Sequence, residues 1–145
     1  MPKGAFANSS RIIPDGALAA LPGISGLSGD QPVFMLNSGL LDLVDAVTFQ
    51  NGVYFPFAAK IVAIRSRVRV APGTGAGTAT VGIVSDTDKF GTQAHAIAAA
   101  AGTQYTWEIL NSGLIVAGDV VGFAGDGGST TNGSCDVAVF WIPRV

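Results

Sequence analysis

The sequence predicts an all-β protein, an antiparallel sandwich of about eight short strands with an extended arm at its N-terminus. Short apolar or alternating runs recur along most of the chain, and Gly, Pro, Asn and Asp separate them about every ten residues. The 145 residues are 48% hydrophobic, which is enough to form a single core. Only 12% of the residues are charged, which is low for an isolated domain.

Residues 1–32 are predicted to form the arm. Four prolines and five glycines interrupt this segment, so we expect no long helix or strand there. The segment nevertheless carries large apolar side chains, and we expect Phe6, Ile12 and Ile13 to anchor it against its own domain or a neighbouring subunit. A disordered leader is the alternative, although such leaders are usually more polar.

Residues 33–145 are predicted to form the sandwich, and its first strands lie at 33–36, 40–49 and 53–57. Asn37-Ser38-Gly39 separates the first two. Asn51-Gly52 predicts a hairpin turn between the second and third, because both residues tolerate positive φ.

Residues 60–70 give the clearest strand of the chain. One predicted face carries Ile64, Ser66, Val68 and Val70, and the opposite face carries Arg65, Arg67 and Arg69. Three like charges on one strand repel one another unless solvent or acidic groups meet them. We therefore predict that the arginines dock an acidic partner or carboxylates of a sister subunit. A solvated face is the alternative.

Further strands are predicted at 78–84, 104–110, 119–124 and 134–142. Asp86-Thr87-Asp88 is predicted to turn the chain. Residues 90–101 are rich in alanine but bounded by Gly91 and Gly102, so we expect an irregular strand or one helical turn. This set of strands favours a jelly-roll-like sandwich.

A five-residue sequence occurs twice in the chain. Leu36-Asn37-Ser38-Gly39-Leu40 returns 74 positions later as Leu110-Asn111-Ser112-Gly113-Leu114. Asp45 and Phe49 match Asp119 and Phe123 in the same register. Two turn-plus-strand units of this kind suggest internal pseudo-symmetry.

Few residues offer catalytic or metal-binding chemistry. His95 is the only histidine, and no Gly-x-Ser-x-Gly motif presents a nucleophile. The sole cysteine, Cys135, lies in an alternating apolar run and is predicted to be a buried small hydrophobe. Asp86 and Asp88 begin like a calcium loop, but Phe90 and Ile97 replace the ligands it needs, which leaves at most a loose surface cation site. We predict no enzyme activity, cofactor or metal.

The net charge and the length of the apolar runs argue against two classes of partner, nucleic acid and membranes. The net charge of −2 gives no basic footprint for nucleic acid. No apolar run reaches the roughly 18 residues that cross a bilayer. A surface covered by Gly, Ala, Ser and Thr instead suits close contact with other subunits, although a neutral monomeric domain is the alternative.

Residues 114–123 are apolar on both sides of Gly118-Asp119, and a Gly/Ser/Thr-rich loop at 125–133 leads to a last strand at 135–142. This pattern resembles viral and TNF/C1q-like jelly rolls. With its Gly/Pro arm and low charge, the whole chain resembles the capsid decoration (cement) proteins of tailed bacteriophages.

The resemblance implies a structural virion protein that is made in the host cytoplasm and resides on the capsid exterior. Such a protein binds the major capsid protein as a homotrimer and bridges neighbouring capsomers. The family has no fixed site signature, so no residue inherits a role. The alternative is a trimeric TNF/C1q-like or fibre-tip module that recognises a receptor or carbohydrate.

Overall fold

The computed structural model describes residues 32–144, so the arm and its predicted anchors Phe6, Ile12 and Ile13 lie outside the described residues. The described chain forms nine strands and one short 3-10 helix at Asn111–Gly113. The strands are β1 (Phe34–Asp42), β2 (Ala46–Tyr54), β3 (Ala59–Val70), β4 (Gly77–Ile83), β5 (Asp86–His95), β6 (Gln104–Thr106), β7 (Leu114–Ile115), β8 (Val120–Asp126) and β9 (Ser134–Pro143).

The strands form two antiparallel sheets. Sheet A has the order β1-β9-β3-β6, with β7 also paired to β3, and sheet B has the order β2-β8-β4-β5. The first strand therefore pairs with the last, the second with the next to last, and so on inward to the β4–β5 hairpin. This is the pairing of a long hairpin rolled into two sheets, and it confirms the predicted jelly-roll-like sandwich.

The core lies between the sheets and follows the alternation of the strands. Ile64 of β3 belongs to one buried cluster with Val81 of β4 and Phe123 of β8. These three side chains and that of Val68 are fully buried. Trp107 is also buried. Cys135 is fully buried among these residues, which confirms its predicted role.

An aromatic cluster closes one end of the sandwich, which we call the aromatic end. Phe34 stacks on Trp141 with ring centroids 4.8 Å apart, and Phe55 and Phe57 pack against the same indole. Phe34 begins β1 and Trp141 lies near the end of β9, directly opposite it. The other end, which we call the loop end, consists mainly of Gly-, Ser- and Thr-rich connections, including residues 71–76 and 127–133.

The hairpin predicted at Asn51-Gly52 is wrong, because β2 runs through both residues. Its pairing with β8 shifts twice, between Val47 and Gln50 and between Gln50 and Val53. Positive φ angles at Phe49 and Asn51 accommodate these bulges. The residues that tolerate a tight turn thus serve to deform an edge strand.

Three other local predictions also need correction. Asn37-Ser38-Gly39 lies inside β1 as a bulge rather than ending it. Asp86 starts β5, so the β4–β5 turn falls two residues earlier. Of residues 104–110, only Gln104–Thr106 form a strand. The chain then leaves β3 and crosses to β5 of the other sheet, where Leu110 N–H donates to Phe90 O.

The two copies of the repeated sequence lie at opposite edges of sheet A. One belongs to β1 and the other leads into β7. Gly39 and Gly113 have the same φ of 66°. The strands that follow the two copies, β2 and β8, are antiparallel neighbours in sheet B.

Candidate functional site

The predicted arginines lie on the outer face of sheet A. Arg65, Arg67 and Arg69 alternate along β3 with Ser66 and Val68, whose side chains point into the core. Because β3 pairs with β9 on one side and β6 on the other, the arginines stand in the middle of the sheet. We call these three residues the arginine face.

A carboxylate from the neighbouring strand partly neutralises the arginine face. Arg69 Nε lies 3.1 Å from Asp136 Oδ2, and both side chains are partly exposed. Asp136 is the cross-strand partner of Arg67, so the carboxylate stands between two of the arginines. Three guanidinium groups and one carboxylate leave the face net positive.

A groove of about 190 Å³ follows the arginine face. It is lined by Asn37, Arg65, Ser66, Arg67, Gln104, Asp136 and Ala138. The Nε of Arg65 is buried and donates to no acceptor among the described residues. A buried donor without an acceptor costs about 1–3 kcal/mol.

The geometry of the groove suits an acidic side chain. A carboxylate can accept from two guanidinium groups at once, and such charge-assisted bonds are stronger than neutral ones. Asn37 is held in place because its Oδ1 accepts the N–H of Gly39 at 2.7 Å. The groove is therefore a candidate docking point for a protein partner.

His95 lies elsewhere, in the core between the two sheets. Its Nδ1 lies 3.2 Å from Gly77 O, and its Nε2 lies 2.8 Å from Ser66 Oγ. A carbonyl oxygen only accepts, so Nδ1 carries the proton and Nε2 accepts from the Ser66 hydroxyl. Trp107 Nε1–H donates to the same hydroxyl oxygen at 2.9 Å. Every polar atom of this network is satisfied when the imidazole is neutral.

Ser66 and His95 have the separation of a nucleophile and its general base, but other features differ from such a pair. Ser66 is 3% exposed and His95 is 0% exposed, so no substrate reaches them in this structure. A carbonyl, not a carboxylate, orients the imidazole. Burial lowers the pKa of His95, and the Gly77 carbonyl and the Asp126 charge only partly oppose this. The network links the two sheets, which gives His95 a structural role.

Asp126 also serves the fold. Its Oδ1 accepts the N–H groups of Thr78 and Gly128, each at 2.8 Å. Burial pushes the pKa of Asp126 upward, but these donors lower it below its usual value. Within residues 32–144 there is no group of three or more His, Cys, Asp or Glu side chains placed to hold a metal ion. The same residues include no helix with the length and apolar character needed to cross a bilayer.

Sequence reasoning found the arginines but missed the residues that complete each site. Asn37 and Gln104 reach the groove from β1 and β6, far away along the chain. The pairing of Ser66 with His95 and Trp107 was also missed. The one available signal was Ser66 itself, a hydroxyl residue at an inward position between Ile64 and Val68.

The comparisons with known proteins concern the fold. No protein-family model matches the chain, and no curated protein is similar to it. A chain in the cyanophage Pam1 capsid asymmetric unit matches with a TM-score of 0.51 and 16% identity, over 86% of this chain and 92% of that one.

Two further structures are more distant. The acidic stable capsid structure of Helicobacter pylori bacteriophage KHP30 matches with a TM-score of 0.49 and 14% identity, over 76% of this chain and 86% of that one. Disulfide-linked pili of Bacillus endospore appendages match with a TM-score of 0.36 and 14% identity, over 83% and 100%. At these identities the cyanophage similarity shows a shared fold.

Proposed function

We propose that this chain is a structural protein of a bacteriophage virion, a decoration or cement protein that binds the outer surface of the capsid. Its partner is the major capsid protein, and it stabilises the shell by bridging neighbouring capsomers as a homotrimer. The role is non-enzymatic. It places the protein on the capsid exterior after synthesis in the host cytoplasm.

The observation that carries the proposal is the jelly-roll-like fold shared with a chain of the cyanophage Pam1 capsid, over most of both chains. The surface of this chain adds support. A surface with few charges and many small residues suits a protein that is permanently bound to other subunits.

In this proposal the arginine face makes the polar contact with the shell. The groove beside Arg65 and Arg67 accepts an acidic side chain of the major capsid protein, and its carboxylate binds the guanidinium groups that line the groove. Residues 1–32 act as the arm and add buried area through Phe6, Ile12 and Ile13. Several weak contacts from one trimer then combine through effective concentration.

Co-sedimentation with capsid shells that lack the protein tests shell binding. We expect the wild-type protein to pellet with shells, and the R65E/R67E double variant to bind at least tenfold more weakly. K60E/R144E, a matched double charge reversal at exposed positions outside the groove, should bind like the wild type. If the wild type does not bind shells but binds host cells or glycans, the protein is instead a receptor- or carbohydrate-binding module, and this proposal is wrong.

Light scattering across a dilution series tests the oligomer. A stable trimer supports an assembly unit. A monomer at every concentration contradicts a preformed trimer, and shell binding would then be measured per monomer.

A further inference from the structure

The exposed apolar side chains of the described residues are concentrated at the aromatic end. Of the twelve large hydrophobic residues with exposed side chains in residues 32–144, only Leu40, Val70 and Ile97 lie towards the loop end. Val84 and Leu110 lie beside β5. The other seven lie at or beside the aromatic end. A one-sided distribution of this kind marks a surface that another group covers.

The aromatic cluster forms the centre of this surface. Phe34 and Phe57 are each 45% exposed, although both rings contact Trp141. Tyr54 and Val116 flank the cluster and are 61% and 59% exposed. Each of these side chains is thus open on the side that faces away from the core.

The chain enters the sandwich at this same surface. Phe34, the first residue of β1, is part of the cluster. One residue before it, Val33 packs on a second apolar cluster formed by Val62, Ala63 and Ile142. These three residues are buried, although they lie on the outer side of sheet A. The chain therefore packs on an apolar surface just before β1 begins.

Residues 1–31 have the chemistry to cover this surface. They include Phe6, Ile12, Ile13, Leu18, Leu21, Ile24 and Leu27, against four charged side chains. They are attached at Pro32, two residues before Phe34, so the cost of bringing them to this surface is that of closing a short loop. Thirty-one residues also exceed what is needed to cross one end of a small domain.

We propose that residues 1–31 of this chain dock on the aromatic end and cover Phe34, Phe57 and Trp141. The inference deepens the arm of the proposed function, and it rests on that proposal only in treating these residues as an arm. It assigns the arm a receiving surface within the sandwich itself, separate from the arginine face that is proposed to meet the shell.

Photocrosslinking of the full-length protein, without capsid shells, tests this inference. A benzophenone amino acid replaces Phe57 in one variant and Tyr54 in a second, and both positions are exposed enough to accept it. After irradiation, we expect mass spectrometry to find crosslinked peptides from residues 1–31 in both variants. The matched control carries the same group at Ile97, which is 56% exposed at the loop end and should give none.

Crosslinks confined to residues 32–145, or no crosslinks, in both variants would overturn the inference, provided that the variants show wild-type circular dichroism. Crosslinking of residues 1–31 from Ile97 as strongly as from Phe57 would overturn it as well. Mixing isotope-labelled and unlabelled chains should give crosslinks within one chain only, because the short loop from Pro32 joins the segment to its own sandwich. Crosslinks mainly between labelled and unlabelled chains would overturn the inference. Because no shell is present, failure here is distinct from failure of shell binding.

Discussion

Ser66 of sheet A donates its hydroxyl hydrogen to His95 Nε2 of sheet B across 2.8 Å of the core. The same oxygen accepts from Trp107, so one hydroxyl holds together groups from three places in the chain. Hydrogen bonds of this kind are directional, whereas apolar packing is not. The pair therefore fixes how the two sheets are positioned relative to each other.

Replacing Ser66 by alanine should destabilise the protein by about 1–3 kcal/mol, because the Trp107 N–H and His95 Nε2 would both lose a partner while buried. Urea unfolding measures the change. Ser134→Ala is the matched control, since its buried Oγ has no hydrogen-bond partner, and it should be neutral or slightly stabilising. Equal losses in the two variants would contradict a role for the network.

Stability should decrease as the pH falls through and below about 6.5, because burial lowers the folded pKa of His95 while the unfolded chain titrates at its ordinary value of 6.5. Between these two values the unfolded state binds a proton that the folded state does not. The titratable groups near the imidazole are Tyr105, whose ring centroid lies 5.0 Å away, and Asp126, whose charge only partly opposes the shift.

Urea unfolding of the wild type and of His95→Gln, at about pH 8 and about pH 5.5, checks this dependence. The wild type should be less stable at the lower pH, and the variant should show a smaller difference. A variant with the same pH dependence as the wild type would assign the effect to other groups.

The repeated glycines offer a test of backbone geometry. Gly39 and Gly113 share a φ of 66°, so alanine at either position carries the same conformational cost of about 1–2 kcal/mol. A Cβ at Gly113 would also lie 2.6 Å from Ile61 O, whereas at Gly39 its nearest neighbour is Asn51 Nδ2 at 3.6 Å. Thermal unfolding should therefore rank Gly113→Ala as clearly less stable than Gly39→Ala. The reverse order would be inconsistent with this packing.

Arg65→Met should leave stability unchanged or raise it by up to about 1 kcal/mol, because it removes a buried donor that has no acceptor and keeps the apolar stem. The same variant should bind capsid shells more weakly. Arg69→Met, which removes a partly exposed ion pair with Asp136, serves as the comparison and should cost less than about 1 kcal/mol. A large loss of stability in Arg65→Met would indicate that this arginine serves the fold.

Cys135 should not react with thiol reagents in the native protein. It is fully buried, and burial raises the pKa of its thiol to about 12, so almost no thiolate forms near neutral pH. A colorimetric thiol assay at about pH 8 should detect one thiol per chain in denaturant and almost none without it. Rapid native labelling would show that β9 opens.

Local alternation was enough to predict β3, because Ile64 and Val68 face the core while Arg65 and Arg67 face outward. The same reasoning failed at Asn51-Gly52, where pairing with β8 prevails over turn preference. It also failed at Val70, which is 50% exposed because the pairing register shifts between Val68 and Val70. Contacts distant in sequence decide these positions.

The sites depend even more on distant contacts. Ser66 and His95 are 29 positions apart, and no pattern in the chain marks them as a pair. Phe34 meets Trp141 because β1 pairs with β9. Phe57 meets the same ring because β3, which begins two residues after it, also pairs with β9. The sequence predicted the character of each residue, but the rolled hairpin decides which residues become neighbours.

The central position of β9 in sheet A affects how the nascent chain folds. This strand is the last of the nine along the chain, yet it lies between β1 and β3. During synthesis, β1 and β3 are therefore made before β9, the strand that pairs with both. Until β9 is made, the backbone donors and acceptors that it will bind are free to pair with other chains. Sheet A is complete only when β9 has left the ribosome, so a product that stops before β9 exposes unpaired strand edges that other chains can bind.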